Sequence, residues 1–352
     1  MKTLKIHSKF NLDLISTYRN ELFGLSIIGI MIFHYFLRIV DHGTENALAR
    51  FYHTVFSSVG VECFVFLSGM GLYFSMKKNS NIKQFYTKRL VRVLVPYVVW
   101  GVAFWLVKDF LVNQKTLLDF VQDLSFITFF TKGERVLWYI GFITVMYLFF
   151  PLIFKILDTN KHCFIRFALM LAVVMSVVVA VNVLLLETYN KIEVALNRVP
   201  VFLIGTFYGK RIYEHKAFNL WDGLLVLFSV LVHFYGTMQS YGVIPTSINF
   251  GRYEYTLFAI VLIFFSVWIL SKINFKPLHR FLKSVGALSL ELYMTHVSID
   301  NIMRACNIPT YELKYYLMCV FLSIIFSIIL HFSLKNITIS IGQQKQVLKY
   351  KK

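Results

Sequence analysis

Ten stretches of mostly apolar residues, each about as long as a lipid bilayer is thick, dominate this chain. A helix needs about 20 consecutive apolar residues to cross the hydrocarbon core of a bilayer. The stretches predict helices at residues 22–40, 53–76, 93–112, 136–157, 164–186, 199–213, 220–237, 255–271, 285–303 and 315–334. We therefore expect an all-α fold, a polytopic membrane bundle of about ten transmembrane helices.

The composition supports an apolar solvent and argues against nucleic acid as a partner. Of the 352 residues, 57% are hydrophobic and only 15% are charged, whereas soluble domains carry about 25% charged residues. The net charge of +18 resides in short segments between the apolar stretches, and not on a polar face of the kind that binds nucleic acid. We expect a multi-pass protein of the cell membrane, either a bacterial inner membrane or a plasma membrane, with the lipid bilayer as its partner.

The distribution of Lys and Arg predicts the orientation of the bundle. With ten spans, 25 of the 36 basic residues fall on the side of the N-terminus and 11 on the other side. Cytoplasmic loops carry the excess of basic residues, so both termini are expected in the cytoplasm. The connections are short, which predicts one domain over residues 1–352 with its helical core at 19–334. The longest connection, 113–135, is apolar enough to lie partly in the membrane interface.

The four cysteines predict neither a disulfide framework nor a metal site. Cys63, Cys163, Cys306 and Cys319 form no CxxC pair and lie mostly in apolar surroundings. Free cysteines in such surroundings behave as small buried hydrophobic residues. We expect no bound metal.

Five ionisable residues fall inside the predicted spans: His34, Glu62, His233, Glu291 and His296. Ionisable groups in hydrocarbon are costly and mark functional sites by default. At about 1.5 Å per residue, His34, Glu62 and His296 come to nearly the same depth, which predicts one polar cavity. The alternative is that a neighbouring hydroxyl or carbonyl satisfies each of them separately. We interpret His233 as a packing residue, and Glu291 could equally pair with a Lys near the inner face.

A basic segment, KQFYTKRLVR at residues 83–92, precedes the third span. Arg89 and Arg92 are three residues apart and share one face of a helix. Guanidinium groups bind phosphate with two parallel hydrogen bonds, so this pair is a candidate phosphate site. The alternative interpretation is ordinary positive-inside charge.

Several segments together resemble the membrane acyltransferase 3 family, whose members acylate hydroxyl groups of sugars and other acceptors. The segments are RNELFGLSIIGIMIFHYF (19–36), GVECFVFLSGMGLYFS (60–75), FYTKRLVRVLVPY (85–97), LWYIGFITVMYLFFPL (137–152), RVPVFLIGTFYG (198–209) and LSLELYMTH (288–296). Their order along the chain is that of the family. Phe23 stands where many members carry an Arg, and Glu62 replaces the more usual Asp.

The resemblance implies an enzyme that transfers acyl groups other than aminoacyl groups. It implies acyl-CoA, commonly acetyl-CoA, as co-substrate, no permanently bound cofactor, and a polysaccharide or lipid-linked sugar as acceptor. In this chemistry His34 would be the base and Glu62 its orienting partner, and His296 would either assist in proton transfer or form a hydrogen bond to the acceptor. Arg89 and Arg92 would bind the donor.

The acceptor contacts implied on the far side are Trp138, Tyr139 and Arg198. The aromatic pair could instead belong to the belt of aromatic residues at the membrane interface, and Arg198 could merely flank a span. An alternative function for the whole chain is a transporter, flippase or polymerase for lipid-linked sugars, because such proteins also carry ionisable groups at the midplane.

Overall fold

The computed structural model describes residues 11–43, 47, 49, 51–52, 60–159, 161–240, 243 and 253–347. Over these residues every predicted apolar segment is helical for most of its length; residues 53–59 of the second segment lie outside them. The corresponding helices are α1 (Arg19–Asp41), α2 (Val61–Lys78), α3 (Ile82–Trp105), α4 (Trp138–Leu157), α5 (Cys163–Leu184), α6 (Val199–Tyr213), α7 (Leu220–Ser240), α8 (Tyr253–Lys272), α9 (Ser289–Ala305) and α10 (Leu313–Val347). Helix α3 continues as a π-helix over Leu106–Val112.

Seven of the helices found in the described residues are long and apolar enough to cross a membrane: α1, α3 with its π-helical extension, α4, α5, α7, α8 and α10. The other three, α2, α6 and α9, are shorter or more charged. Most of their residues are buried by neighbouring helices, and side chains that face protein need not be lipophilic. These three helices also carry or adjoin Glu62, Arg198 and His296, so the polar residues of the bundle concentrate at its centre.

The structure corrects three helix boundaries. The last helix extends to Val347 and does not end at residue 334. The third helix begins at Ile82, where the Asn81 side chain accepts a hydrogen bond from the Gln84 amide, so the segment 83–92 belongs to the helix and does not precede it. The segment predicted as 285–303 is divided: an amphipathic helix, Lys276–Ala287, ends at Leu288, and α9 begins at Ser289.

Short helices occupy the longest connection, 113–135. Leu117–Leu124 begins with a capping box between Thr116 and Asp119, and Ile127–Lys132 follows it. Several of their large apolar side chains are exposed, as expected for a segment in contact with lipid. Other short helices are Asp13–Thr17 and Leu186–Leu196.

Glycines allow the closest helix contacts of the core. A Cβ at Gly205 of α6 would lie 2.2 Å from the Phe66 carbonyl oxygen of α2, and a Cβ at Gly69 would lie 2.4 Å from the Phe202 carbonyl oxygen. Small residues at such crossings let two backbones approach, which is how helices associate in lipid without a hydrophobic driving force. The glycines of LSGMG and FLIGTFYG therefore fix the position of α2 against α6.

Candidate active site

A cavity of about 330 Å³ lies among helices α1, α2, α3, α4, α9 and α10. Its volume is within the range of about 300–1,000 Å³ that is usual for small-molecule sites. Along α1 its wall extends from Arg19 to Ile30, a length of about 16 Å at the rise of an α-helix. The cavity is therefore elongated along the bundle axis, with a different chemical character at each end.

Three arginines form one end of the cavity: Arg19 from α1, and Arg89 and Arg92 from α3. None of the three forms an ion pair with any carboxylate of the described residues. The Nε atoms of Arg19 and Arg89 are buried without a hydrogen-bond partner. Mutual repulsion acts among the three guanidinium groups. An anion with several oxygens would relieve both the repulsion and the missing hydrogen bonds.

Arg19 is a cavity residue that the sequence alone did not identify. It precedes the first apolar stretch and reads as ordinary flanking charge. In the structure its guanidinium lies 5.0 Å from the centre of the Phe23 ring, and its Nη2 would be 2.5 Å from a Cβ at Gly71. One signal in the sequence could have identified Arg19. Many members of the resembled family carry an Arg at the position of Phe23, and Arg19 lies four residues before Phe23. Residues four apart share a helix face, so Arg19 can occupy the same side of α1.

The opposite end of the cavity is aromatic and weakly polar. Tyr139 and Tyr293 line it, with ring centres 5.4 Å apart in an edge-to-face arrangement. The Tyr139 hydroxyl lies 3.5 Å from the Ser68 hydroxyl. Trp138 and Tyr139 are both buried, so neither belongs to a lipid-facing aromatic belt. Tyr139 lines the cavity, whereas Trp138 packs beneath the guanidinium of Arg198 at 4.9 Å.

His34 and His296 meet one helical turn beyond this aromatic end. Their rings stack with centroids 5.4 Å apart and an angle of 16° between their planes. The Nε2 of His296 lies 3.1 Å from the Tyr316 hydroxyl, which also donates a hydrogen bond to the Met31 carbonyl. His34 Nδ1 is buried and has no hydrogen-bond partner within the described part of the chain. A neutral imidazole with a free nitrogen can take a proton.

Glu62 is paired with Arg198, and not with His34. Its Oε1 lies 2.8 Å from Arg198 Nη2, and both side chains are buried. The sequence prediction of equal depth fails for Glu62: Gly60 adjoins Ile30, so on antiparallel helices Glu62 and His34 diverge by about 9 Å along the axis. The prediction also relied on a helix beginning at residue 53, outside the described residues.

Two further histidines, both in long membrane helices, lie beside carboxylates. His331 lines the cavity, and its Nδ1 lies 3.0 Å from Glu291 Oε1, so among the described residues Glu291 pairs with this histidine and not with a Lys. His233 stacks on Phe258 at 3.8 Å between ring centres, with its Nδ1 3.2 Å from Glu254 Oε1. His233 lies in α7, away from the cavity wall.

The comparison with known proteins agrees with the resemblance of the motifs. Residues 24–332 match the model of the acyltransferase 3 family, which is described as an acyltransferase domain. The search of curated proteins found no match, and neither did the search of solved structures. The matched range contains all of the cavity wall except Arg19, Asn20 and Phe23.

Proposed function

This chain belongs to the acyltransferase 3 family and is a membrane acyltransferase, and we propose that it O-acylates a hydroxyl of a cell-surface or lipid-linked glycan with acyl-CoA, most simply acetyl-CoA, as donor. Family membership favours an enzyme over the transporter, flippase or polymerase alternatives. The observation that carries the donor proposal is the group of three arginines without carboxylate partners at one end of an elongated cavity.

The charge and length of the cavity support CoA as the donor. CoA carries its phosphates at one end and its thioester at the other, joined by a long and largely uncharged arm. Arg19, Arg89 and Arg92 would bind the phosphates with charge-assisted hydrogen bonds. The arm would follow the cavity for about 16 Å and bring the thioester towards the tyrosine end, one turn from His34.

The orientation of the bundle is part of the proposal. Ten spans with both termini in the cytoplasm follow from the excess of basic residues on one side, and this orientation puts the three arginines at the cytoplasmic face, where acyl-CoA is made. The acceptor would then approach His34 from the opposite face. The protein would act as a passage for the acyl group across the membrane.

The proposed reaction needs one base. His34 Nδ1 takes the proton of the acceptor hydroxyl while the hydroxyl oxygen attacks the thioester carbonyl carbon. A C–O bond forms, the C–S bond breaks, and the CoA thiolate leaves with the proton that His34 had taken. His296, stacked on His34 and hydrogen-bonded to Tyr316, would hold the ring of His34 in place. In this scheme the Glu62–Arg198 pair supports the wall behind Trp138.

Binding of labelled acetyl-CoA to the purified full-length protein tests the donor site. The double variant Arg89→Ala/Arg92→Ala should bind about tenfold or more weakly, because charged hydrogen bonds contribute about 1.5–3 kcal/mol each. Lys83→Ala/Lys88→Ala is the matched control, since it removes the same charge from exposed positions of the same helix. If acetyl-CoA affinity falls equally in both double variants, or in neither, Arg89 and Arg92 do not bind the donor and serve only to orient the protein in the membrane.

A further inference from the structure

Outward of the two histidines, α1 and α9 form a second polar contact. Arg38 lies four residues after His34 in α1, and Asp300 lies four residues after His296 in α9. The His34–His296 contact and the Arg38–Asp300 contact therefore occur on the same faces of two helices that run in the same direction. Asp300 Oδ2 accepts hydrogen bonds from Arg38 Nε at 3.2 Å and from Arg304 Nε at 3.1 Å. Arg38 also pairs with Asp41 at 2.8 Å.

The second oxygen of Asp300 accepts no hydrogen bond from any residue that the structure describes. Asp300 is 2% exposed, and its Oδ1 is buried without a partner among these residues. The side-chain oxygen of Asn301, the next residue, is likewise buried and without a partner. A buried acceptor that lacks a donor costs about 1–3 kcal/mol. Both oxygens lie about one helical turn beyond His296. One turn inward, His34 Nδ1 is also buried without a hydrogen-bond partner among the described residues.

We propose that Asp300 and Asn301 bind hydroxyl groups of the acceptor and deliver a neighbouring hydroxyl to His34, an inference that rests on the proposed function. The missing partners are hydrogen-bond donors, and a polyhydroxyl compound supplies several of them within one ring. The distance from the Asp300 level to the His34 level is one helical turn, about 6 Å. A sugar held at Asp300 can therefore present its next hydroxyl to the base.

The charges around Asp300 favour an uncharged acceptor. Arg38 and Arg304 are balanced by Asp300 and Asp41 through the ion pairs among the described residues, so the cluster has no excess charge to bind phosphate or carboxylate. The donor end is different, because its three arginines are not balanced. The two ends thus differ in the chemistry they recognise: an anion at the arginines, and neutral hydroxyl groups at Asp300 and Asn301.

The test separates acceptor recognition from donor binding. Asp300→Asn and Asn301→Leu are compared with wild type in two measurements: binding of labelled acetyl-CoA by the purified protein, and acetylation of surface glycan in cells that lack their own copy of the gene. We expect acetyl transfer to fall about tenfold or more while donor affinity stays within about twofold. Asn301→Asp, which keeps an acceptor oxygen, should recover part of the transfer that Asn301→Leu loses.

Glu312→Gln is the control for the change from acid to amide. Glu312 lies in the connection after α9, its side chain is 42% exposed, and it pairs with Lys314, so its variant should behave as wild type. If Asp300→Asn and Asn301→Leu transfer acetyl groups at the wild-type rate, the acceptor site is wrong, and water molecules satisfy these oxygens. Parallel loss of donor binding and transfer would also overturn it, because it would show a structural role. A wild-type protein that binds no acetyl-CoA would instead contradict the proposed function.

Discussion

Glu62 and Arg198 form an ion pair buried in the centre of the bundle, with 2.8 Å between Oε1 and Nη2. Arg198 also donates a hydrogen bond to the Val194 carbonyl and packs over Trp138. The pair joins the start of α2 to the start of α6, the two helices whose glycines bring their backbones into contact. Because the pair lies in the core, away from the stacked histidines, we expect its role to be structural.

Breaking this ion pair should destabilise the protein more than removing both partners. Glu62→Gln alone leaves a buried guanidinium uncompensated, and such a loss costs about 3–5 kcal/mol. The double variant Glu62→Gln/Arg198→Gln removes both charges, so we expect it to recover part of the midpoint temperature of thermal unfolding in detergent. A Glu62→Gln protein of wild-type stability that no longer transfers acyl groups would show that Glu62 acts in the chemistry.

The hydrophobic pattern predicted the helices well because the lipid bilayer requires long apolar segments to be helical. Every apolar segment of the described residues is a helix, since in lipid the backbone must satisfy its own hydrogen bonds. The failures are local. The start of α3 was missed because Lys83, Gln84 and Lys88 are good helix formers but not apolar. The break at Leu288 was missed because no proline or polar run marks it.

The site was less predictable than the fold, because it depends on which helices pack together. Depth along one helix can be read from residue numbers, but the ion-pair partner of Glu62 lies 136 positions away in the chain. The role of Arg19 depends on the same kind of contact, since its approach to Gly71 of α2 places it in the cavity. Sequence patterns identify costly polar residues in lipid, and only tertiary packing identifies their partners.

Replacing His34 should abolish transfer and spare donor binding. A general base contributes about 10²–10⁴-fold to a reaction rate, so we expect His34→Ala to lose at least about 10²-fold in acetyl transfer. His233→Ala is the control, because it also removes a histidine from a membrane helix, but one that stacks on Phe258 and not on the His34–His296 pair. Labelled acetyl transfer, corrected for the amount of protein in the membrane, is the measurement. A His34→Ala enzyme with undiminished activity would exclude this residue as the base.

Arg19 should contribute to donor affinity together with the two arginines of α3. In Arg19→Ala the phosphates lose one charge-assisted partner, and we expect acetyl-CoA to bind about tenfold or more weakly. Much of the loss should persist at high salt, because salt screens partly buried charges much less than exposed ones. Arg166→Ala provides the control, as Arg166 is exposed at the start of α5 and outside the cavity wall. An affinity equal to that of wild type would mean that Arg19 serves only to flank the span.

A methyl group at Gly205 should separate α2 from α6. The added Cβ would lie 2.2 Å from the Phe66 carbonyl oxygen, whereas a Cβ at Gly223 would meet only a Phe218 ring carbon at 3.9 Å. Overpacking of this kind costs about 1–3 kcal/mol, so Gly205→Ala should lower the unfolding temperature in detergent. Gly223→Ala should match or exceed wild type, because alanine is the better helix former. Equal behaviour of the two variants would refute the close crossing.

Two native cysteines can test the proposed orientation without any engineered site. In the ten-span arrangement, Cys163 begins α5 at the cytoplasmic face and Cys306 follows α9 at the outer face. Cys306 is exposed, while Cys63 and Cys319 are buried. A membrane-impermeant maleimide is added to cells whose outer envelope has been opened and whose cytoplasmic membrane is intact. We expect it to label Cys306 alone, and we expect Cys306→Ser to remove that label. Permeabilised membranes should add Cys163. Labelling of Cys163 but not Cys306 from outside would reverse the orientation, and with it the assignment of the arginines to the cytoplasmic donor.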